Sequence, residues 1–312
     1  MIKILANDGI DAQGKSLIEA AGITVDTQNI PQSELALRIG EYDGLLVRSA
    51  TKVTKAIIDA GKNLQIVCRG GVGMDNIDIE YAQSKGIKVF NTPASSSTAV
   101  AELVFAHLFA TVRFLHLSNR QMPSSGVDNF NGLKKSYAQG IELFGKTIGI
   151  VGFGRIGREV ARIAKGIGMK VMAYDVVFAD KEARKTINTK GIRIARSVNS
   201  LLKEADFISL HVPSTDKPLI DKKALKLMKS TAGIINISRG GVIDEQSLIE
   251  ALDQNRIAFA CLDVFENEPK PNERLLNHPK ISVSPHIGAS TMEAQERIGG
   301  ELANIVIDNL RR

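Results

Sequence analysis

The sequence predicts an α/β protein of two domains, each a doubly wound parallel sheet of the Rossmann-like or flavodoxin-like kind, with a cleft between them. Three observations support this fold class. Short apolar runs alternate with helical patterns along most of the chain, the alternation breaks at Asn91-Thr92-Pro93, and 312 residues are enough for two domains. We therefore expect a discontinuous substrate-binding domain of residues 1–94 plus 288–312, and a second domain of residues 95–287.

Five apolar runs supply the strands of the first predicted sheet. Helical stretches lie between them, which is typical of parallel βα units whose helices cover both faces of a sheet. The predicted strands are residues 2–6, 24–25, 44–47, 64–68 and 87–90, and the predicted helices are residues 13–21, 32–39 and 54–60.

The longest apolar stretch, residues 99–117, follows the break. Glu102, His107, Arg113 and His116 interrupt it, which favours a buried or interfacial helix over a membrane span. Serine and threonine hydroxyls at 95–98 are suited to cap its start. We expect one long helix through Leu117, followed by an extended excursion over residues 118–140.

Six further apolar runs match a complete dinucleotide-binding sheet. They lie near residues 147–151, 170–174, 206–211, 233–237, 258–262 and 281–284, with helices predicted at 198–204, 221–228 and 244–254. We expect the last helix, residues 290–310, to return to the first domain.

Three glycines stand at the corner between the first of these strands and a helix, in Gly152-Phe153-Gly154-Arg155-Ile156-Gly157. Gly152 permits the tight turn, Gly154 lets backbone N–H groups approach a pyrophosphate, and Gly157 lets the helix pack closely on the strand. The phosphates would lie at the positive end of the helix dipole. Because glycines also punctuate ordinary turns, the spacing alone does not decide between the two interpretations.

Asp175 ends the next predicted strand, 175 − 157 = 18 residues after the third glycine. An acid at about this distance typically binds the adenosine ribose. The alternative is a solvated carboxylate at a strand end. The ribose role favours NAD over NADP, because Asp175 would repel a 2′-phosphate and the neighbouring Val176 and Val177 supply no arginine to bind one.

Arg239, Glu268 and His286 each follow an apolar strand near the carboxyl ends of the second sheet, where open α/β sheets bind ligands. Together they suit hydride transfer at an alcohol carbon. A histidine exchanges the hydroxyl proton near neutral pH, a carboxylate orients its ring, and an arginine clamps a substrate carboxylate. Taken singly, Arg239 could equally cap a carbonyl, Glu268 could be a surface loop acid, and His286 could be a strand-end histidine with satisfied hydrogen bonds. His211 is better suited to the wall of a nucleotide pocket than to proton transfer.

Two neighbouring strands of the first sheet also end in candidate ligand groups. Arg48 and Ser49 offer a cation and a hydroxyl, and Arg69-Gly70-Gly71-Val72-Gly73 offers backbone N–H groups for an oxyanion. Both could hold an acid. The alternative is that the glycines only shape a turn and that Arg48 is solvated.

Composition argues against several other classes of function. The net charge of +6 is spread along the chain, which does not favour nucleic-acid binding. Cys68 and Cys261 lie in apolar runs, so we expect buried reduced thiols in a cytoplasmic protein, and no cysteine spacing suggests a metal site. The start of the chain does not resemble a secretion signal.

Five blocks of the chain resemble the D-isomer-specific 2-hydroxyacid dehydrogenase family, in the family's order, and most closely its D-3-phosphoglycerate dehydrogenase branch. They are residues 69–78, 152–157, 236–244, 262–265 and 285–291. The resemblance implies that Arg239 clamps the substrate, that His286 is the acid and base, and that Glu268 is its partner. The cofactor contacts that it implies are the amides of Arg155 and Ile156 at the pyrophosphate, Asp175 at the ribose, His211 and Pro213 near the adenine, and Asp263 at the nicotinamide carboxamide, with Ser238 also among the cofactor-binding residues.

Residues 47–54 are similar to the phosphoglycerate branch, which implies that Arg48 and Ser49 bind a substrate phosphate and that the amides of Gly71 and Val72 bind its carboxylate. The expected reaction is then the NAD-dependent oxidation of D-3-phosphoglycerate to 3-phosphohydroxypyruvate, within serine biosynthesis. Two alternatives stay open. One is a reductase of glyoxylate, hydroxypyruvate or another D-2-hydroxyacid, and the other is an NAD-binding regulator of the corepressor type.

The resemblance has two further implications. Members of this branch often carry C-terminal domains that sense serine, and the present sequence ends at Arg312, so we expect no feedback by that route. The family pattern also implies a homodimer built on the nucleotide domains, with residues 99–117 and the following excursion in contact. Residues 124–137 depart most from the branch, which leaves open whether Lys134 or Lys135 reaches a partner subunit's substrate.

Overall fold

The computed structural model describes residues 2–310, and of Lys181 and Ala183 the backbone only. The chain divides into two compact units, Met1–Ala99 with Ala289–Arg312 (unit 1) and Val100–Gly288 (unit 2). The domain boundaries expected from the sequence were 94/95 and 287/288. Each unit is built on one all-parallel sheet, which confirms the predicted fold class of two doubly wound α/β domains.

Unit 1 holds five strands and four short helices before the chain leaves it. They are β1 (Lys3–Ala6), α1 (Ala12–Ala20), β2 (Thr24–Asp26), α2 (Leu35–Arg38) with a 3-10 turn (Ile39–Glu41), β3 (Gly44–Val47), α3 (Lys55–Ala60), β4 (Ile66–Arg69), α4 (Ile79–Ser84) and β5 (Lys88–Asn91). The sheet order is β2-β1-β3-β4-β5. Successive residues of a strand enter different cores, as Ile4 and Leu5 do, so both faces of the sheet are buried.

Unit 2 holds seven strands and most of the helices. The helices are α5 (Ser97–Val112, which begins at the end of unit 1), α6 (Leu115–Ser125), α7 (Phe130–Ser136), α8 (Arg155–Gly166), α9 (Lys181–Lys185), α10 (Val198–Glu204), α11 (Lys222–Leu225), α12 (Glu245–Asp253) and α13 (Glu273–Leu276), with a 3-10 turn at Val176–Ala179. The strands are β6 (Thr147–Val151), β7 (Lys170–Tyr174), β8 (Ile192–Ile194), β9 (Phe207–Leu210), β10 (Gly233–Asn236), β11 (Phe259–Leu262) and β12 (Ile281–Val283).

The strand order in unit 2 is β12-β11-β10-β9-β6-β7-β8. The order reverses between β6 and β9, so the carboxyl end of β6 lies at the switch point where doubly wound sheets bind ligands. Six strands of this sheet are predicted from the sequence, and β8 is not among them. This edge strand has three residues, pairs with β7, and exposes Arg193 between two partly buried isoleucines, so its apolar signal is too short to detect.

The expectation of one helix through Leu117 and an extended excursion to residue 140 is wrong. The helix stops at Val112, and Phe114 takes a left-handed conformation with φ of 54° before α6 begins. The carbonyl of Val112 accepts a hydrogen bond from the amide of Ile141 at 3.0 Å, a long-range partner in place of a further helical turn. Much of the expected excursion is helical, as α6 and α7.

The break bears on the membrane question. No single helix among residues 2–310 is both long and apolar enough to cross a membrane, and α5 and α6 meet the test only as a pair bent by 56°. Within unit 2, α5 packs Val104 and Leu108 into the core beneath β6 and β11.

The chain returns to unit 1 as α14 (Met292–Leu310). It packs against α1 at two glycines, since a Cβ added to Gly14 would lie 2.6 Å from the backbone carbon of Gly299. Ile298 and Leu302 of α14 join the core that also holds Ile4. The C-terminal helix therefore completes the cover over one face of the first sheet.

Candidate active site

The glycine turn after β6 has the geometry that a dinucleotide needs. Gly152 has φ of 89°, and a Cβ added there would overlap the carbonyl oxygen of His211. A Cβ on Gly157 would overlap the carbonyl oxygen of Gly152, so this glycine permits α8 to pack on the turn. Gly154, directly before α8, has nothing within 4 Å of its Cβ position. The backbone around Gly154 is therefore open to a ligand at the start of the helix.

Asp175 lies beside this turn. Its carboxylate accepts a hydrogen bond from the amide of Phe153 at 2.6 Å and one from the amide of Val177 at 3.0 Å. The side chain is only partly buried. A carboxylate oxygen can accept more than one hydrogen bond, so both oxygens retain capacity for a ligand hydroxyl.

His211 follows β9 and forms another wall of the same turn through its carbonyl oxygen. Its Nε2 lies 2.8 Å from the hydroxyl of Ser209, and its buried Nδ1 has no hydrogen-bond partner among residues 2–310. Burial lowers the pKa of the His211 imidazole to about 3. The ring is therefore neutral near pH 7, which argues against proton transfer. Pro213, two residues on, is exposed.

His286 and Glu268 form a directed pair. Nδ1 of His286 lies 2.7 Å from Oε2 of Glu268, and the two side chains are 38% and 35% exposed. The structure gives Nε2 of His286 no partner within the described chain. Because the carboxylate engages one ring nitrogen, the other is left for a ligand at an accessible surface.

Asp263 holds the loop that carries His286. The carboxylate of Asp263, which follows β11 and is 1% exposed, accepts hydrogen bonds from the Ser284 hydroxyl (2.5 Å) and from the amides of Ile287 and Gly288 (2.8 Å each). The backbone carbonyl of Asp263 accepts from the amide of His286 at 2.8 Å. The assigned contact of Asp263 with the nicotinamide carboxamide stays a prediction, since in the structure its carboxylate is occupied by the loop that carries His286.

A backbone amide also fixes the carboxylate of Glu268. Its Oε1 accepts a hydrogen bond from the amide of Phe265 at 3.0 Å. Burial raises the pKa of the Glu268 carboxyl, but the hydrogen bonds from His286 and Phe265 and the positive charge of Arg239 outweigh it, so the pKa is lowered overall. Glu268 is therefore ionised near neutral pH and accepts the imidazole N–H.

Arg239 lies close enough to Glu268 for its positive charge to stabilise the Glu268 carboxylate. Its Nη1 donates to the carbonyl of Ser238 at 2.6 Å, and its own carbonyl accepts from the side-chain amide of Asn236 at 2.8 Å. Ser238 is buried, and both its amide and its hydroxyl donate to Asn236 Oδ1. The turn after β10 is thus held by its own polar groups, and it presents Arg239 beside the His286–Glu268 pair.

Comparison with known proteins identifies the family of this arrangement. The family described as "D-isomer specific 2-hydroxyacid dehydrogenase, NAD binding domain" matches residues 105–288, more than half of the chain. The chain belongs to this dehydrogenase family. Its unit 2 is the family's NAD-binding domain.

Relatives of this chain carry more than one activity in their names. A D-3-phosphoglycerate dehydrogenase of Methanocaldococcus jannaschii is 40% identical over 100% of this chain, which spans 58% of that protein's length. A hydroxypyruvate reductase of Thermotoga maritima is also 40% identical, over 99% of this chain and 98% of its own. The structure of NAD+-bound 3-phosphoglycerate dehydrogenase from Entamoeba histolytica superposes with a TM-score of 0.79 at 30% identity, covering 98% of this chain and 94% of that one.

NAD fits the residues of the glycine turn in unit 2. The turn has a cradle that a Cβ would fill at Gly152, an open backbone at Gly154 and a carboxylate at Asp175. The first amides of a helix have no intrahelical acceptor, so those of Arg155 and Ile156 at the start of α8 suit a pyrophosphate. The buried Nδ1 of His211 provides a further unsatisfied polar atom near the turn.

The predicted substrate residues lie in unit 1. The amide of Arg48 donates to Asp8 at 2.6 Å and its carbonyl accepts from Asn76 at 2.8 Å, so the turn after β3 is locked on both sides. Ser49 is exposed on this turn. The Cγ of Arg48 lies 3.7 Å from the Cβ position of Gly70, which brings the ends of β3 and β4 together.

The assignment of the Gly71 amide to a substrate carboxylate stays a prediction, since in the structure this amide has an acceptor within unit 1. That amide donates to the hydroxyl of Thr92 at 2.7 Å, a buried bond. The amide of Val72 has no such partner among the described residues and is still a candidate. Lys134 and Lys135 lie exposed in the last turn of α7, where their role stays a prediction.

Sequence reasoning missed the residues that lock these loops. Asp8 and Asn76 hold Arg48, and His107 bonds to Ser284, which in turn holds Asp263. These partners lie 21 to 177 positions apart along the chain, so no local spacing indicates them. A weak signal existed for His107, which is a polar residue within an apolar helix.

Proposed function

We propose that this dehydrogenase oxidises D-3-phosphoglycerate to 3-phosphohydroxypyruvate with NAD, as a step of serine biosynthesis. The 2.7 Å contact between His286 Nδ1 and Glu268 Oε2 carries the proposal, because it directs the other ring nitrogen toward a substrate hydroxyl. The fit of unit 2 to NAD and the names of the relatives support it.

In the proposed reaction each polar group has one task. His286 accepts the hydroxyl proton at Nε2, while its Nδ1–H donates a hydrogen bond to Glu268, whose carboxylate stabilises the imidazolium that forms. Arg239 binds the substrate carboxylate and polarises the carbonyl oxygen as it develops. The glycine turn of residues 152–157 and Asp175 would hold NAD, which would supply the acceptor for the hydride that leaves the hydroxyl-bearing carbon.

The phosphate is assigned to Arg48. The side chain of Arg48 lines a cavity of about 360 Å³ together with Ser290, Thr291, Met292 and Gln295 at the start of α14, where helix amides favour an anion. The wall also includes Asp11 and Glu296. Asp11 is already engaged as the cap of α1, accepting from the amide of Gln13 at 2.8 Å.

Glu296 and the relatives' names favour a second candidate, the reduction of hydroxypyruvate or glyoxylate by the same residues. The carboxylate of Glu296 in the cavity of Arg48 would repel a phosphate. The hydroxypyruvate reductase of T. maritima is as similar in sequence as the phosphoglycerate dehydrogenase of M. jannaschii. A corepressor-type regulator is the remaining alternative, and it would turn over neither acid.

Steady-state assays with NAD and D-3-phosphoglycerate, and with NADH and hydroxypyruvate or glyoxylate, separate these functions. For the phosphoglycerate enzyme, Arg48→Ala should lower kcat/KM for the phosphorylated acid about 10²-fold, since a charge pair to the phosphate is lost. The loss for hydroxypyruvate should stay under about threefold. Arg38→Ala is the matched control, because Arg38 pairs with Glu41 elsewhere in unit 1. Equal losses for both acids would favour the reductase.

We also propose that the chain forms a homodimer through unit 2. Large apolar side chains are exposed along the segment from α5 to β6: Phe109, Leu115, Met122, Phe130 and Phe144. Phe109→Asp combined with Leu115→Asp should shift the mass measured by light scattering from about twice 33.7 kDa toward that of one chain. Leu37→Asp, at a still more exposed apolar residue of unit 1, should leave the mass unchanged. A wild-type mass of one chain would contradict the proposal.

A further inference from the structure

A buried polar chain runs behind the His286 loop and has no part in the mechanism above. It begins at His107 on α5, which is 6% exposed, and passes through Ser284 to Asp263. His107 Nε2 lies 2.9 Å from the Ser284 hydroxyl, and Nδ1 lies 2.8 Å from the Ser282 hydroxyl. A buried histidine in a core helix needs such partners, because an unpaired buried polar group is costly.

The direction of these hydrogen bonds follows from the carboxylate at the end of the chain. The Ser284 hydroxyl donates to Oδ1 of Asp263, so its oxygen accepts from His107. His107 therefore carries its proton on Nε2, and its Nδ1 accepts from the Ser282 hydroxyl. Burial lowers the pKa of His107, although the charge of Asp263 opposes this and His116 adds to it, which agrees with a neutral ring.

The far end of the chain holds an unusual backbone. His286 has φ of 53°, a left-handed conformation that non-glycine residues rarely adopt. Asp263 restrains it from both sides, through its carbonyl to the His286 amide and through its carboxylate to the amides of Ile287 and Gly288. Residues in this region persist when surrounding contacts over-determine them, at a strain of about 1–3 kcal/mol.

We propose that His107 is a positioning residue for His286, acting through Ser284 and Asp263 to keep the left-handed turn in place and the imidazole on Glu268. The inference rests on the proposed function for the role of His286, but the geometry on which it depends does not. Without the donor at His107, Ser284 is free to rotate away from Asp263, and the carboxylate then loses one of its three restraining partners.

The test compares His107→Leu with His107→Gln. Leucine fills the site but removes the donor, whereas the glutamine side chain can again offer an N–H to Ser284. We expect His107→Leu and Ser284→Ala each to lower kcat about 10- to 100-fold, with KM values for NAD and the acid within about threefold, as for other outer partners of reacting groups. His107→Gln should recover most of the loss. The double variant His107→Leu with Ser284→Ala should lose no more than the larger single loss, since both act on one link.

A matched control separates positioning from general destabilisation of α5. Thr111 lies one helical turn after His107, is also buried, and contacts Cys261 at 3.4 Å without touching Asp263. Thr111→Val should leave kcat within about twofold. A loss in Thr111→Val equal to that in His107→Leu, or a glutamine variant no faster than the leucine variant, would overturn the proposal.

A second measurement does not depend on activity. Hydrogen exchange of the Ile287 and Gly288 amides should be about tenfold faster in His107→Leu and Ser284→Ala than in the wild type, and unchanged in Thr111→Val. An active wild-type enzyme with unchanged kcat and exchange in both variants would refute the positioning role and leave the proposed function standing. A wild type that turns over neither acid, with the expected faster exchange in the variants, would refute the function and leave the positioning intact.

Discussion

The proposed proton transfer depends on one ring nitrogen, Nε2 of His286. His286→Ala should lower kcat by about 10²–10⁴-fold, because no other group on this loop can exchange the hydroxyl proton. NADH binding should stay nearly intact, since the glycine turn and Asp175 that suit the coenzyme are fixed by contacts that do not involve the imidazole. Steady-state kinetics and a fluorescence titration with NADH measure the two quantities separately.

Two carboxylates of one loop offer a control for this prediction. Glu268→Gln removes the charge that stabilises the imidazolium, so it should also lower kcat. Glu266→Gln changes a neighbouring carboxyl that accepts from the amide of Glu245 and not from the ring, and it should stay within about twofold of wild type. A His286→Ala enzyme with normal turnover would contradict the assignment of the acid and base.

Residue identity was predictable from the sequence where a chemical task restricts the residue type. The ends of β10, β11 and β12 were expected to converge, and the structure brings Arg239, Glu268 and His286 together. The sequence could not predict how backbone groups are used. The Gly71 amide faces Thr92, and the Asp263 carboxylate faces its own loop, because tertiary hydrogen bonds between distant segments decide where each donor and acceptor goes.

At the level of elements, the strand-turn-helix unit of β6 and α8 separates folding from binding. Gly157→Ala places a Cβ against the carbonyl of Gly152, so it should destabilise unit 2 by about 1–3 kcal/mol. Gly154→Ala meets nothing within 4 Å and has an ordinary φ of −71°, so it should fold like the wild type. If a pyrophosphate approaches this backbone, Gly154→Ala should still weaken NADH binding.

Urea unfolding and NADH titration of the two glycine variants check this expectation. The result that supports the dinucleotide site is a stable Gly154→Ala protein with weakened NADH binding. A Gly154→Ala protein with wild-type stability and wild-type NADH affinity would show that the coenzyme does not contact this turn.

Elements with long or regular apolar patterns were predictable, and those that depend on distant partners were not. The predicted strands of the first sheet begin and end within two residues of the observed ones. The end of α5 is set by the hydrogen bond from Ile141 to Val112, about thirty residues away along the chain, so the apolar run through Leu117 misled the prediction. The short edge strand β8 gave too weak a signal.

For the whole molecule, two histidines of unit 2, the buried His107 and the partly buried His211, couple stability to pH. Burial lowers the pKa of His107, and it lowers the pKa of His211 to about 3. In the unfolded chain both rings return to an ordinary value near 6.5. Below about pH 6.5 the unfolded chain therefore binds protons that the folded unit excludes. Their contribution to stability is complete above this pH and is lost as the pH falls.

We expect the free energy of unfolding of unit 2 to decrease between pH 6 and pH 5 by up to about 1.4 kcal/mol per pH unit for each of the two histidines. Carboxyls with lowered pKa, such as Asp206 and Glu268, act in the same direction but only near and below their ordinary values of 3.8 and 4.5. Urea unfolding at pH 7.5, 6 and 5 measures the slope, and His107→Leu should reduce it because one of the two titrating groups is gone. A free energy of unfolding that stays flat from pH 7.5 to 5 would mean that the folded unit accepts these protons. It would contradict the neutral state of His107 from which the directions of its hydrogen bonds to Ser282 and Ser284 were derived.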